Sequence, residues 1–165
     1  QGANDNGSGL ATLMTIARQV SGKSYPFGLR FIAFGSEEVG LFGSRFYVSS
    51  LSQGERESIV AMLNFDVPGS GEFPEVIGSR DLVEEALAQG AANGIEVHRG
   101  VPVAGASSDH AIFRDVGIPV AFFLADDLTR INSTADTLEF VRPELMGISA
   151  FLGLRVLDTL ADRFR

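Results

Sequence analysis

The sequence predicts an α/β fold: a three-layer α/β/α arrangement around a mostly parallel, mixed sheet. Apolar runs of strand length alternate along the chain with segments whose apolar residues follow helical spacing. Several of these runs end in a carboxylate, and the carboxyl ends of strands are where an open α/β sheet carries its chemistry. The 165 residues are 45% hydrophobic, which suits one globular domain with a sizeable core.

The first residues predict a loop followed by a helix. Residues 2–9 are rich in Gly, Asn, Asp and Ser, as loops commonly are. Apolar residues at helical spacing then predict a helix over residues 10–20. Asn6 or Ser8 could cap its start, and Gly22 suits its end.

A pair of adjacent glutamates follows the first strand pattern. The apolar run 29–34 has the length of a buried strand, and Glu37 and Glu38 come after a small-residue turn. Such a pair suits the dipole of a following helix, or it serves a cation or a proton transfer, and the pair alone leaves both interpretations open. A short helix over residues 44–51 and a polar connector over residues 53–57 are predicted next.

The middle of the chain contains two further strand patterns and a helix. Residues 59–66 form a second buried strand that ends in Asp66, and residues 75–78 form a short strand. Helical spacing over residues 81–92 is followed by an alternating segment, 95–98, which predicts another strand.

The last third repeats the order of loop, helix and strand. A loop is predicted over residues 100–105, after which residues 107–110 cap a short helix over residues 111–116. Residues 118–124 form a strongly apolar strand, and residues 125–137 form a loop. The remaining apolar residues predict a C-terminal helix with a proline in its first turn.

Composition excludes several classes of protein. Thirteen basic and 21 acidic residues give a net charge of −8, which argues against a nucleic-acid partner and against an anionic membrane surface. The absence of cysteine excludes disulfides, zinc fingers and thiol nucleophiles. No apolar run has the length of a membrane-spanning helix.

The chain begins at Gln1 without a start methionine, and we therefore expect it to be part of a longer polypeptide. A cysteine-free chain is stable in either redox setting, so composition leaves the compartment open. A secreted or extracytoplasmic location is our expectation.

Polar side chains follow several of the predicted strands and should meet in space. Asp5 precedes a helix, Glu37 and Glu38 follow one strand, Asp66 ends another, and Asn132 lies in the loop after a third. The carboxyl ends of parallel strands share one edge of a sheet, so these groups can converge there. Four carboxylates in one cleft repel each other unless cations neutralise them, and the sequence therefore predicts a metal centre.

Five motifs, in this order, resemble those of the zinc aminopeptidases of peptidase family M28. They are Gly2-Ala3-Asn4-Asp5-Asn6-Gly7-Ser8-Gly9, Phe34-Gly35-Ser36-Glu37-Glu38-Val39-Gly40-Leu41-Phe42-Gly43-Ser44, Leu63-Asn64-Phe65-Asp66, Ser108-Asp109-His110 with Gly117-Ile118-Pro119, and Ala135-Asp136-Thr137. The resemblance covers most of the chain. It implies the zinc-exopeptidase (phosphorylase/hydrolase-like) fold, a peptide substrate, and a single domain over residues 1–165 that lacks its N-terminal part.

The resemblance also implies a pair of zinc ions and a role for each acid. Asp5 would bridge the two metals, Glu38 would bind one of them, Asp66 would bind the other, and Glu37 would be the general base. The family often has a non-proline cis peptide after the bridging Asp, which here is the Asp5–Asn6 bond.

Two departures from the family concern its histidine ligands. One lies upstream of the Gly-Ala-Asn-Asp stretch, outside this chain, and the other is replaced here by Asn132, with Ile131 in the place of a tyrosine. An all-oxygen ligand set suits zinc poorly, so we expect weak zinc binding and poor or absent hydrolysis. His98, predicted as a surface or packing residue, and His110, predicted to help start a helix, do not replace the missing ligands.

Other functions remain open at this point. A non-catalytic M28-like domain for binding or structure would explain Asn132 and Ile131. A glutaminyl cyclase-like acyltransferase or a carboxypeptidase-type hydrolase would share the fold and differ in its loops. A serine hydrolase is disfavoured because the sequence lacks a Gly-x-Ser-x-Gly motif, and a phosphate-binding loop because residues 2–9 lack the Lys-Ser/Thr ending.

Overall fold

The computed structural model describes residues 1–102 and 107–165, and its elements alternate as the sequence pattern predicts. In chain order they are α1 (Gly9–Val20), α2 (Phe42–Ser50), α3 (Gln53–Ser58), β1 (Met62–Phe65), β2 (Pro74–Gly78), α4 (Arg80–Ala92), β3 (His98–Arg99), α5 (His110–Asp115), β4 (Val120–Ala125) and α6 (Pro143–Asp162). An irregular turn, Ala3–Ser8, in which Asp5 and Asn6 have non-helical backbone angles, precedes α1, and a 3₁₀ turn, Leu138–Phe140, precedes α6.

The four strands form one mixed sheet in the order β1-β4-β2-β3. β1 runs parallel to β4, and β2 runs parallel to β3, whereas β2 and β4 are antiparallel. Phe65 of β1 lies opposite Phe123 of β4 in this register, and their rings stack with centroids 4.9 Å apart. The mostly parallel, mixed sheet predicted from the sequence is confirmed.

Helices cover both faces of β4, which is fully buried along its length. Ala121 and Phe123 pack in one core cluster with residues of α1, α4 and α6. Val120 packs in a second cluster with residues of α2 and α5. Alternate residues of a strand point to opposite faces, so this division confirms the three-layer arrangement. No helix within the described ranges is long and apolar enough to cross a bilayer.

The prediction of a buried strand over residues 29–34 is wrong. The segment pairs with no strand among the described residues, and Phe31 is 41% exposed. An apolar run becomes a buried strand only when neighbouring strands take up its backbone hydrogen bonds, and β1 pairs with β4 instead. The segment nevertheless places Glu37 and Glu38 beside the end of β1, because residues on both elements line one cleft.

Further differences from the prediction concern residues 53–57 and residues 95–98. The polar connector 53–57 is a short helix, α3, which starts with a capping box formed by Ser52 and Glu55. The strand expected over residues 95–98 is reduced to the two residues of β3. The loop predicted over residues 100–105 lies partly outside the described residues.

Candidate active site

A cleft of about 340 Å³ opens at the carboxyl end of β1 and collects the acids predicted from the sequence. Asp5, Glu37, Glu38, Asp66 and Asp109 all contribute to its wall. Four of these five are the candidate acids of the sequence analysis, and Asp109 joins them from the start of α5. The fold therefore brings together carboxylates from separate parts of the chain.

Asp5 is held by a loop whose two asparagines are both anchored. The Asp5–Asn6 peptide is cis, as the family resemblance implies. Asn4 accepts a hydrogen bond from Gly69 N (2.8 Å), and Asn6 donates from Nδ2 to Phe65 O (3.1 Å). Asn6 Oδ1 also accepts from Gly9 N at 2.9 Å, so Asn6, of the two predicted candidates, caps α1.

Asp136 holds the same loop from the opposite side. Its Oδ1 accepts a hydrogen bond from Asn4 N (2.7 Å), and its Oδ2 accepts one from Asp5 N (2.9 Å). Asp136 is 3% exposed, and a buried carboxylate needs such partners because burial removes it from water. The loop that carries Asp5 is thus fixed to the segment just before the 3₁₀ turn.

Glu37 and Glu38 lie in a turn before α2. Glu37 O accepts hydrogen bonds from Gly40 N (3.0 Å) and Leu41 N (2.8 Å). The Glu37 residue is half-buried and Glu38 is exposed. Neither lies in the first turn of α2, which begins at Phe42, so the interpretation of the pair as a helix N-terminus is wrong.

Asn132 contacts Glu38 directly. The side-chain amide of Asn132 is oriented with its nitrogen toward Glu38, which satisfies the hydrogen-bonding groups of both residues. In this orientation Asn132 Nδ2 donates to Glu38 Oε2 (2.9 Å) and Oε1 (3.2 Å). Asn132 has a φ of 56°, in the left-handed region that Asn tolerates better than most residues. Asn132, which is predicted to stand in the place of a histidine ligand, therefore presents a donor to the Glu38 carboxylate.

Asp66 is oriented by a serine from the start of α5. Ser108 Oγ donates to Asp66 Oδ2 at 2.6 Å and accepts from Asn64 Nδ2 at 2.8 Å. Asp66 Oδ1 is buried and has no hydrogen-bond partner. The prediction that residues 107–110 cap α5 through their side chains is corrected here, because the Ser108 hydroxyl is committed to Asp66 and the Asp109 side chain forms no cap bond.

Burial, together with the charges of neighbouring acids, raises the pKa values of several acids in the cleft. Burial, the charges of Asp66 and Glu38, and a hydrogen-bonding contact with Glu38 raise the pKa of Asp5 from 3.8 to about 7. Burial and the charges of neighbouring acids, Asp66 first, raise the pKa of Glu37 from 4.5 to about 7. Burial also raises the pKa of Asp66 and of Asp109. The cleft therefore holds protons near neutral pH unless a cation replaces them.

The donors suit a hard divalent cation in part. The buried, unpartnered Asp66 Oδ1 and the mutual repulsion of the acids favour a cation, and carboxylate oxygens suit Mg²⁺, Mn²⁺ or Ca²⁺. Within the described residues, however, no three His, Cys, Asp or Glu side chains form an arrangement that could hold an ion. The described residues supply some of the ligands that a cation needs, but they do not form a complete site for two zinc ions.

The two histidines lie elsewhere, as predicted. His98 is exposed and contacts Glu96 Oε1 at 3.0 Å. The buried His110 stacks on Phe122 with ring centroids 4.5 Å apart, and burial lowers its pKa to about 4. A neutral, packed imidazole supports the fold beside the cleft.

Removing the Ser108 hydroxyl should destabilise the chain. We expect Ser108→Ala to lower the free energy of unfolding by about 1–3 kcal/mol, because Asp66 Oδ2 and Asn64 Nδ2 both lose a buried partner. Urea unfolding followed by circular dichroism measures this change. Ser149→Ala is the matched control, since Ser149 is 0% exposed and its Oγ has no partner. An equal loss in both variants would contradict the assignment.

Comparison with known proteins places this site in a family. The model of Peptidase family M28 matches residues 1–156. The chain belongs to peptidase family M28. The matched residues include every acid of the cleft and both sides of the contact between Asp136 and the Asp5 loop.

Several M28 proteins are similar to this chain over most of its length. Leupeptin-inactivating enzyme 1 from Streptomyces exfoliatus is 37% identical over 138 residues, which cover 81% of this chain and 32% of that protein. The aminopeptidase from Aneurinibacillus sp. strain AM-1 superposes with a TM-score of 0.79 at 30% identity, covering 94% of this chain and 39% of that one. A zinc aminopeptidase from Bacillus subtilis superposes with a TM-score of 0.79 at 28% identity, and the match covers 98% of this chain and 41% of that one.

The chain therefore spans about a third of the length of the curated relatives that it matches. The similarity shows the family and confirms the α/β fold expected for it. Each of the five motifs contributes residues to the cleft or to the hydrogen bonds around it.

Sequence reasoning missed the residues that hold the acids in place. Asp136 and Asn64 have no predicted role beyond their membership of motifs, and Ser108 is predicted only as part of a helix cap. Each acts on an acid far away in sequence: Asp136 is 131 positions from Asp5, and Ser108 is 42 positions from Asp66. The only available signal was the presence of small polar residues beside the acids within the motifs.

Proposed function

We propose that this chain is the metal-dependent aminopeptidase domain of a polypeptide that hydrolyses the N-terminal residues of peptides. The observation that carries the proposal is the cleft in which five acids meet, two of them with pKa values raised to about 7. Family membership supports the reaction class, because the M28 relatives include named aminopeptidases.

The acids of the cleft have different surroundings, and we propose a different role for each of them. Glu37 is the proposed general base, because its pKa of about 7 allows it to take a proton from water near neutral pH. Asp5, Glu38 and Asp66 are the proposed cation ligands, with Asp5 as the bridge of a co-catalytic pair and Asp66 Oδ1 free to bind. A divalent cation would polarise the peptide carbonyl and make the attacking water more acidic.

Asn132 weakens this site in the chain as it stands. Its amide donates to Glu38 and so occupies a carboxylate that the site needs, and an amide oxygen is a weak, neutral ligand. We propose that zinc binds weakly here and that hydrolysis by this chain is impaired.

Hydrolysis of leucine p-nitroanilide with Zn²⁺, Co²⁺ or Mn²⁺ added tests the function. We expect slow release of p-nitroaniline that depends on the added metal and is lost in Glu37→Gln, a variant that keeps the side chain's shape and removes its basicity. N-acetyl-leucine p-nitroanilide is the matched control substrate and should not be cleaved. Equal cleavage of both substrates, or no change in Glu37→Gln, would overturn the proposal.

A second candidate is a non-catalytic M28 domain that serves binding or structure. The hydrogen bonds from Asn132 to Glu38 favour it, because they satisfy a carboxylate without any metal. No release of p-nitroaniline with or without added metal, and no zinc bound at millimolar concentration, would support this candidate over the first.

A further inference from the structure

Asp136 contacts the loop that carries Asp5 and lies outside the proposed set of ligands and base. It is 3% exposed, and each of its two carboxylate oxygens accepts one backbone N–H, from Asn4 at 2.7 Å and from Asp5 at 2.9 Å. Hydrogen bonds to a charged acceptor are stronger than those between neutral groups. Both oxygens are occupied by the loop, so Asp136 does not itself offer a free oxygen to a cation.

Electrostatic repulsion between carboxylates favours displacement of the loop that Asp136 holds. The charges of Asp66 and Glu38 act on Asp5, and like charges repel more strongly where water is partly excluded. A displacement of residues 4–6 would relieve this repulsion and would separate the carboxylates. The other anchors act on side chains of the loop, at Asn4 and Asn6, whereas Asp136 binds the backbone N–H of Asp5 itself.

We propose that Asp136 is a positioning residue, whose carboxylate fixes the Asn4-Asp5 backbone so that the Asp5 side chain faces Glu38 and Asp66. The role in cation binding rests on the proposed function, whereas the hold on the backbone does not. Asp136 acts through Asp5 and is not a catalytic residue.

Asp136→Asn tests the proposal, with Asp126→Asn as its matched control. The asparagine keeps one acceptor oxygen but turns an NH₂ group toward the second backbone N–H, so one bond is lost and two donors face each other. Asp126 also accepts two backbone N–H groups, from Glu72 (2.7 Å) and Phe73 (3.0 Å), and it does not line the cleft. Both bonds to Asp126 end on Oδ1, which asparagine retains, so Asp126→Asn controls for the loss of a backbone-binding carboxylate charge away from the cleft, whereas Asp136→Asn also loses a bond.

Two measurements are made on each variant. Electron paramagnetic resonance gives the Mn²⁺ affinity and the spectrum of the bound ion, and amide hydrogen exchange gives the protection of the Asn4 and Asp5 N–H groups. We expect at least tenfold weaker Mn²⁺ binding and faster exchange at both amides in Asp136→Asn. We expect Mn²⁺ affinity within twofold of the original chain in Asp126→Asn.

The outcomes separate this proposal from the proposed function. Unchanged Mn²⁺ affinity with unchanged exchange at Asn4 and Asp5 in Asp136→Asn would overturn the positioning role. If the original chain binds no Mn²⁺, the proposed function fails for this chain, and the exchange of these two amides alone decides whether Asp136 fixes the loop. Should Asp136→Asn not fold, Asp136→Glu replaces it, because it keeps the charge and lengthens the side chain; affinity retained in folded Asp136→Glu would contradict a role that depends on geometry.

Discussion

Replacing Asn132 with histidine is expected to raise the zinc affinity of this chain by roughly 10- to 100-fold. The change removes the amide that donates to Glu38 and adds an imidazole nitrogen, a ligand that zinc prefers to an amide oxygen. The backbone accepts the replacement, because histidine, like asparagine, is enriched among non-glycine residues with positive φ, and φ here is 56°. Competition with a chromophoric chelator measures the affinity.

Asn132→Ala provides the control for this experiment. It also releases Glu38 from the amide but supplies no new ligand. Any increase in zinc affinity in Asn132→Ala therefore comes from the freed Glu38 carboxylate, and any additional increase in Asn132→His comes from the imidazole. Equal zinc affinity in the His and Ala variants would show that the imidazole does not reach the ion. That result would favour the non-catalytic candidate, because restoring a histidine at position 132 would then not be enough to form a zinc site.

Thermal stability without divalent cations should fall by ~5 °C between pH 5 and pH 8. The pKa of Asp5 is about 7 in the folded chain against an ordinary value of 3.8, and that of Glu37 is about 7 against 4.5. Between about pH 4 and pH 7 the folded chain binds more protons than the unfolded chain, because Asp5 and Glu37 stay protonated only in the folded state. The protonated forms of these two acids therefore contribute a folding stability that is fully present below about pH 4 and is lost as the pH rises through 7. Differential scanning calorimetry at several pH values measures this slope.

Two controls test whether the cleft acids cause this loss. Saturating Mn²⁺ should reduce the loss, because a bound cation favours the ionised carboxylates of Asp5 and its neighbours. Asp5→Asn removes one of the interacting acids and should flatten the dependence on pH. A slope that neither change alters would have to come from groups outside the cleft.

The sequence predicted the parts of this site that depend on periodicity and topology. Asp66 follows a run that is recognisably a strand, and Asp5 and Glu38 line the same cleft as Asp66, although neither of them follows a strand. The strand expected over residues 29–34 failed for a different reason: apolar composition reports a tendency to be buried, whereas a strand also requires a partner at its edge.

The supporting residues could not be predicted in the same way. Ser108 has no periodic neighbour that points to Asp66, and its use as a helix cap was the more common choice for a serine before a short helix. The contact between Asn132 and Glu38 depends on one left-handed residue in a long loop, which leaves no hydrophobic pattern. Such contacts are decided by tertiary placement alone.

The bond between Asn4 and Asp136 joins residues 132 positions apart, and this separation has a consequence for biosynthesis. When residues 1–100 of this chain have been synthesised, the Asp5 segment has been made, but its carboxylate anchor, Asp136, does not yet exist. Contacts of such long sequence separation form late because closing the intervening loop costs entropy. The nascent chain can therefore collapse around its apolar residues before Asp136 is present to fix the backbone of Asn4 and Asp5.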